Sequence, residues 1–174
     1  ARALEALNAG AHGYNTAVGY VAGTAMSTGV QNTIMGANAG DALTTGSYNV
    51  AIGYKALTTE DAHGYNIAIG RHALHNLNAG ADGYNVAVGF KAGEAMTTGI
   101  NTTLIGAEAG LTVSTGTNNT ALGYRAMYSN ADGDNNTAIG YRALYTMDPS
   151  GNADMYNVAV GHDAGLSVTT GTKN

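Results

Sequence analysis

The stretch NVAIGYKA at 49–56 decides the architecture, because close variants of it recur along the whole chain. They read NTAVGYVA at 15–22, NTIMGANA at 32–39, NIAIGRHA at 66–73, NVAVGFKA at 85–92 and TTLIGAEA at 102–109. The last three are NTALGYRA at 119–126, NTAIGYRA at 136–143 and NVAVGHDA at 157–164. The motif glycines are Gly19, Gly36, Gly53, Gly70, Gly89, Gly106, Gly123, Gly140 and Gly161, spaced by 17 except for one step of 19 and one of 21. A second-order repeat of 70 lies on top: residues 1–70 and 71–140 share 35 identities without a gap. The array is therefore one domain over 1–174. It is built from a four-coil block at 1–70, its duplicate at 71–140 and a partial third copy at 141–174.

A unit of 17 residues is too short for the helical hairpins of common repeat arrays, which need 20 or more, and its glycines would weaken any helix. Extended chain fits. In each motif the first and third residues after the Asn fall on one side and the second on the other, the two-residue period of a strand. The sequence predicts an all-β, parallel β-solenoid, a β-roll of about nine 17-residue coils. Each coil is expected to hold two extended runs, closed by the motif glycine and by a second glycine such as Gly29, Gly46, Gly64 or Gly83. Coils stacked at about 4.8 Å would make a rod of roughly 40 Å.

Stacking turns equivalent residues into ladders. The aliphatic ladder (Val18, Met35, Ile52, Ile69, Val88, Ile105, Leu122, Ile139, Val160) is read as core. The Ala ladder (Ala22, Ala56, Ala92 and Ala126 among nine) is unbroken. It implies tight approach of backbone to the opposite wall or to a neighbouring chain. The Asn ladder (Asn15, Asn49, Asn85 and Asn119 among others, with Thr102 the exception) reads as a structural hydrogen-bonded column. Gly19, Gly53, Gly89 and Gly123 mark the turns. Asn101, Asn118 and Asn135 begin formal glycosylation sequons, but Asn and Thr belong to the repeat there.

Candidate contact residues are surface aromatics and one loop. Tyr20, Tyr54, Phe90, Tyr124 and Tyr141 follow the motif glycine, and Tyr14, Tyr48, Tyr65, Tyr84 and Tyr156 precede the motif Asn. Such rows bind glycans or partner surfaces, and they also serve as ordinary cross-strand pairs. The loop Asp148-Pro149-Ser150-Gly151 lies in the longest coil and holds the chain's one proline. A glycan or protein on a host surface is the expected external partner.

Other chemistries lack their residues. The chain has 7 Lys and Arg against 12 Asp and Glu, with no cluster of basic residues, so phosphate-driven nucleic-acid binding is not expected. No apolar run approaches the roughly 18 residues of a membrane span. There is no cysteine. The histidines are His12, His63, His72, His75 and His162; His72 and His75 read as a solvated pair, not metal ligands. Asp61, Asp82, Asp132 and Asp134 lie near turns and match no calcium loop. No cofactor, metal or catalytic residue is expected, and the chain is not read as an enzyme. Ice binding ranks second among binding roles, because Thr16, Thr33, Val50, Ile67, Val86, Thr103, Thr120, Thr137 and Val158 break up a regular Thr face.

Each coil offers only one or two sizeable aliphatic residues, so a single thin roll gains little from burial against chain entropy, and association of copies is the available remedy. The opening ARAL matches RHAL at 71–74, and Asn174 falls one period after Asn157. The chain is accordingly read as a window of a longer fibre.

The NVAIG, NTAVG and NTAIG segments, each followed by a strict Ala, resemble the head repeats of trimeric autotransporter adhesins of the YadA type and the repeats of phage tail fibres. The likeness spans essentially the whole chain, although the coil is longer than the typical adhesin-head repeat. The resemblance implies a left-handed parallel β-roll, a homotrimer, and a structural or adhesive fibre segment outside the cell, on a cell surface or a virion.

Overall fold

A computed structural model describes residues 2–8, 13–149, 151 and 153–174. His12 and Ser150 lie outside the described residues. The fold is a parallel β-solenoid, and among the described residues it contains no helix. Nine three-residue strands form one parallel sheet in chain order: β1 (Thr16–Val18), β2 (Thr33–Met35), β3 (Val50–Ile52), β4 (Ile67–Ile69), β5 (Val86–Val88), β6 (Thr103–Ile105), β7 (Thr120–Leu122), β9 (Thr137–Ile139) and β11 (Val158–Val160). The register is constant, each motif residue opposite its equivalent: Val50 faces Ile67, Ala51 faces Ala68, Ile52 faces Ile69.

The expected second extended run is not a strand in most coils. Only β8 (Gly133–Asp134) and β10 (Ala153–Asp154) pair there, as a separate two-stranded sheet. Elsewhere that wall is a chain of turns whose N–H groups still donate to the next coil, as in Gly23 N–H to Ala39 O at 3.0 Å and Gly93 N–H to Ala109 O at 3.0 Å. Besides the residue after the strict Ala (Leu57 at φ 52°, Gly40 at 50°), two residues per coil take the left-handed conformation. One precedes the motif Asn (Tyr48, Tyr65, Asn118) and the other precedes the strict Ala (Lys55, His72, Arg125), with φ between 54° and 62°. A run containing these residues cannot stay extended, which explains the missing strands.

The glycines serve two purposes. Gly36 has φ of 130°, and a Cβ there would lie 2.6 Å from the Gly53 carbonyl oxygen, so the corner needs both freedom and close approach. Gly99 has no positive φ, and its place is set by approach alone: a Cβ would sit 2.6 Å from the Gly116 carbonyl oxygen.

The aliphatic ladder is not the core. The strand centres (Ile34, Ala51, Ala68, Ala87, Leu104, Ala121, Ala138) are fully buried, while Val18, Met35, Leu122 and Val160 on the flanking positions are 55%, 46%, 43% and 66% exposed. Period-2 alternation says which residues share a face, not which face is inside. The roll is too thin to take β-branched residues from every strand, so mostly Ala points inward. The strict Ala column is buried against it, as the tight-approach reading expects for the opposite wall.

Volume inside the roll is traded between positions. After the strict Ala stands either a buried Leu or Met (Leu57, Leu74, Met127, Leu144) or a glycine (Gly23, Gly40, Gly93, Gly110). The two large strand centres, Ile34 and Leu104, sit where glycines make room: a Cβ on Gly93 would come within 2.8 Å of Leu104, and one on Gly40 within 3.3 Å of Ile34. Three residues beyond this position, Met26, Leu43, Leu77, Met96, Val113 and Met147 complete the filling.

The Asn ladder is buried and continuous. Each side-chain oxygen accepts the backbone N–H of the next ladder residue: Asn32 N to Asn15 Oδ1 at 2.8 Å, Asn49 N to Asn32 Oδ1 at 2.8 Å, Asn66 N to Asn49 Oδ1 at 3.0 Å. The amide nitrogen donates to the turn three residues before the next ladder Asn, as in Asn15 Nδ2 to Gly29 O at 2.8 Å and Asn32 Nδ2 to Gly46 O at 2.9 Å. One side chain thus ties three pieces of backbone that would otherwise be buried without partners.

Candidate binding faces

The inverted strand polarity puts a flat, nine-strand face on the outside. Its two columns of side chains are the first strand residues (Thr16 to Val158) and the aliphatic ladder (Val18 to Val160). The first column mixes five Thr with four Val or Ile, the second is wholly apolar, and neither carries a charge. Such a continuous exposed apolar surface marks a contact face.

The predicted aromatic row lies along the edge that follows the strands. Tyr20, Tyr54, Phe90, Tyr124 and Tyr141 are all exposed. They do not form one unbroken column, because Ala37, Arg71 and Ala107 interrupt it. Where neighbours are aromatic they stack: Tyr124 on Tyr141 at 5.5 Å, Tyr141 on His162 at 4.8 Å, Tyr54 on His72 at 5.7 Å. Cations cover the rings, with the Arg125 guanidinium 5.0 Å from the centre of Tyr124 and Arg71 5.6 Å from that of Phe90. Arg125 donates to Glu108 at 2.7 Å and Arg142 to Asp163 at 2.8 Å, one coil away in each case. The hydrogen bonds from Arg142 hold the Asp163 carboxyl below its usual range.

The second row lies on the opposite edge. Tyr48, Tyr65 and Tyr84 form a continuous stack with ring centres 4.8 and 4.9 Å apart. Stacking closes the ring faces and leaves the edges and hydroxyls to solvent. Beside it runs a shallow cleft of about 210 Å³ lined by Thr45, Ser47, Tyr48, Ala62, Gly64, Tyr65 and Asp82. Asp82 also accepts from Gly64 N–H at 3.0 Å, so the same carboxylate shapes the turn.

Of the predicted loop, Asp148 is exposed but Pro149 is buried, its ring against Gly133, and it offers no surface for contact. Asn101, Asn118 and Asn135 stand outside the buried ladder, one residue before it, with Asn118 Nδ2 donating to Asn135 Oδ1 at 3.2 Å.

The histidines are not simply solvated. His72 and His75 stack at 4.8 Å, and His72 Nδ1 lies 2.7 Å from Glu94 Oε1, which sits one coil further on. Linear spacing hid this partner, because the 19-residue step stacks Glu94 on His75 and the contact to His72 is diagonal, 22 residues away. Burial lowers the His75 pKa, against an opposing hydrogen bond to the Lys55 carbonyl.

Glu60 escaped the sequence reading. It is a fully buried carboxylate at a position that holds Met, Leu or Val in every other coil but one. Oε1 accepts from His63 N–H at 3.1 Å and faces His63 Nδ1 at 3.2 Å; Oε2 accepts from Ala79 N–H at 3.0 Å in the lengthened coil. With Asp61 these side chains form the one metal-like cluster among the described residues. The equivalent residue 70 positions on, Asn130, closes the same turn by accepting from Gly133 N–H at 2.9 Å. An amide does that job as well as a carboxylate, so the site is a structural turn. The 70-residue alignment of Glu60 with Asn130 was the available signal.

No protein-family model matches the chain, and neither a curated protein nor a solved structure matches it. What the fold defines is a class, the parallel β-solenoid repeat proteins.

Proposed function

We propose that the chain is a structural and adhesive segment of a homotrimeric extracellular fibre, of the phage tail-fibre or bacterial surface-adhesin type. The outward sheet face carries the argument. Nine coils place Val, Ile, Leu and Met side chains in one solvent-facing column, a surface that a lone chain in water gains by covering. Copies of the same chain are the natural cover, since a repeating face meets a repeating face at every coil. The role is then mechanical, a stiff rod that holds a tip away from its anchor, with the exposed Tyr rows available for contacts to host glycans or proteins. Nothing in this role calls for a catalytic group. The left-handed coil and the number three come from the resemblance to adhesin heads and tail fibres.

A second reading, a single-chain solenoid that binds ice or glycans, is favoured by the Thr residues at the outward first position of five strands and by the ordered Tyr stack. Light scattering on the purified chain separates the two. Three chains per particle supports the fibre; one chain per particle at all concentrations rejects it and directs effort to ice and glycan binding.

A further inference from the structure

The outward face has two long edges, and they carry opposite charge. The edge that follows the strands bears Arg2, Lys55, Arg71, Lys91, Arg125 and Arg142. Five acids lie on that edge: Glu5, Glu94, Glu108 and Asp163 pair with Arg2, Lys91, Arg125 and Arg142, and Asp41 accepts from the Asn38 amide, so six cations meet five anions. The edge leading into the strands bears Asp61, Asp82, Asp132, Asp134 and Asp154 and no cation before Lys173.

The charges also match in height. The chain climbs about 4.8 Å per coil, so separation along the sequence measures height on the rod. Five of the six cations, all but Arg2, lie within ten residues of an aspartate of the other edge, about 3 Å of climb. Where the leading edge is uncharged, from Thr97 to Thr117, the trailing edge offers Ala107 and Glu108 and no cation. At the last coil both signs invert together, with Asp163 trailing and Lys173 leading. Duplication of the block does not account for the pattern, since Asp61 and Asp82 align with Ala131 and Asn152. Among the described residues, ion pairs within the chain stay on one edge and do not join the two.

A rotation axis parallel to the stack keeps copies parallel and level, and sets the trailing edge of one beside the leading edge of the next. An antiparallel pair across the face would set acid against acid. We propose that the two edges are complementary contact strips by which parallel copies of this chain dock side by side, coil level with coil, cation edge to aspartate edge. The proposal rests on the homo-oligomeric reading above and adds to it the orientation, the register and the residues.

The chain has no cysteine, so single-cysteine variants report the register directly. Arg71→Cys, Asp61→Cys and Asp132→Cys replace side chains at the surface or its margin. They are mixed in pairs, refolded together, treated with a short bismaleimide and resolved on a denaturing gel, with light scattering in parallel. Arg71→Cys is expected to cross-link to Asp61→Cys several-fold more than to Asp132→Cys, which lies more than three coils away, about 17 Å. Equal yields for the two mixtures, or linkage confined to Arg71→Cys with itself, would overturn the proposal. If either occurs with three chains per particle, the strips fail and the trimer stands; one chain per particle removes both.

Discussion

The backbone N–H of Asn136 donates to Oδ1 of Asn119 at 3.0 Å, while Asn119 Nδ2 donates to the Gly133 carbonyl, three residues before Asn136, at 2.7 Å. Asn119→Ala strips the partner from the buried Asn136 N–H and leaves the Gly133 carbonyl with the Asn130 amide, 3.0 Å away. The orphaned N–H costs about 1–3 kcal/mol, so the variant should unfold at clearly lower denaturant. An unchanged midpoint would mean that water replaces the amide.

Thr102 is the weak rung. Its hydroxyl stands 3.5 Å from Asn119 N and 3.4 Å from the Gly116 carbonyl, both at the limit of hydrogen bonding. Thr102→Asn should restore the bond lengths seen in other coils and stabilise the chain by about 1 kcal/mol, the net worth of one good hydrogen bond. Chemical denaturation of the two proteins side by side checks it, and a loss of stability would contradict the ladder account.

The exchange of volume between Leu104 and Gly110 makes a double-mutant prediction. Leu104→Ala should cost about 2–5 kcal/mol as a large-to-small core change. Gly110→Leu should cost about 1–3 kcal/mol or more by overpacking, since a Cβ there already meets Leu104 at 2.6 Å. Together they rebuild the arrangement of Ala51 with Leu57, where a leucine holds φ of 52°. The pair should therefore cost less than the sum of its parts, and strict additivity would refute the exchange.

The outward face can be tested apart from the coil. Leu122 is 43% exposed, so Leu122→Lys should leave the far-ultraviolet circular dichroism of the roll intact. It should shift the particle toward single chains in light scattering. A variant that keeps its mass would place the contact surface elsewhere.

Acid should weaken the fold in two steps. Burial lowers the His75 pKa below 6.5. Burial tends to raise that of Glu94, but hydrogen bonds from His72 and Lys91 prevail and hold it below 4.5. Both folded values lie below the unfolded ones, so the unfolded chain binds more protons on the acid side and stability falls with falling pH. The melting temperature should begin to drop as pH passes below 6.5 and drop again below 4.5. His75→Gln should remove the first step alone; if that step persists, it belongs to another group.

Much of this architecture was readable from spacing. The 17-residue recurrence places Asn49 over Asn32 and Gly53 over Gly36 with no further information, because a constant period leaves one way to stack. The inside and outside of the strand were not readable from alternation. Val50 and Ile52 are larger than Ala51, and size alone suggests they are core. The cue lay outside the motif, in Leu57, Leu74 and Met26, which already fill the narrow interior. Pairings across coils, such as His72 with Glu94, were hidden because the lengthened coil stacks Glu94 on His75, 19 residues earlier, and the contact then runs diagonally to His72, 22 residues away. The face that Tyr48, Tyr65 and Tyr84 share was legible, whereas their closed stack depends on ring orientation that spacing does not carry.

The left-handed residues have a consequence for how the molecule comes into being. Of those before the motif Asn and before the strict Ala, Tyr65 donates its N–H to Ser47 O at 3.2 Å, Lys55 to Ala37 O at 3.1 Å and Arg125 to Ala107 O at 3.0 Å, each to the preceding coil, whereas Leu57, after the strict Ala, donates to Ala73 O of the next coil at 3.0 Å. Each such residue carries a backbone cost of about 1–2 kcal/mol that its own coil does not repay. A turn of chain with nothing beneath it therefore has little reason to hold this shape, while one laid on a finished turn finds the acceptors waiting. Assembly is then templated, much as a crystal adds layers: slow to seed, rapid to extend, and copying the pitch of the first ordered layer into every layer above.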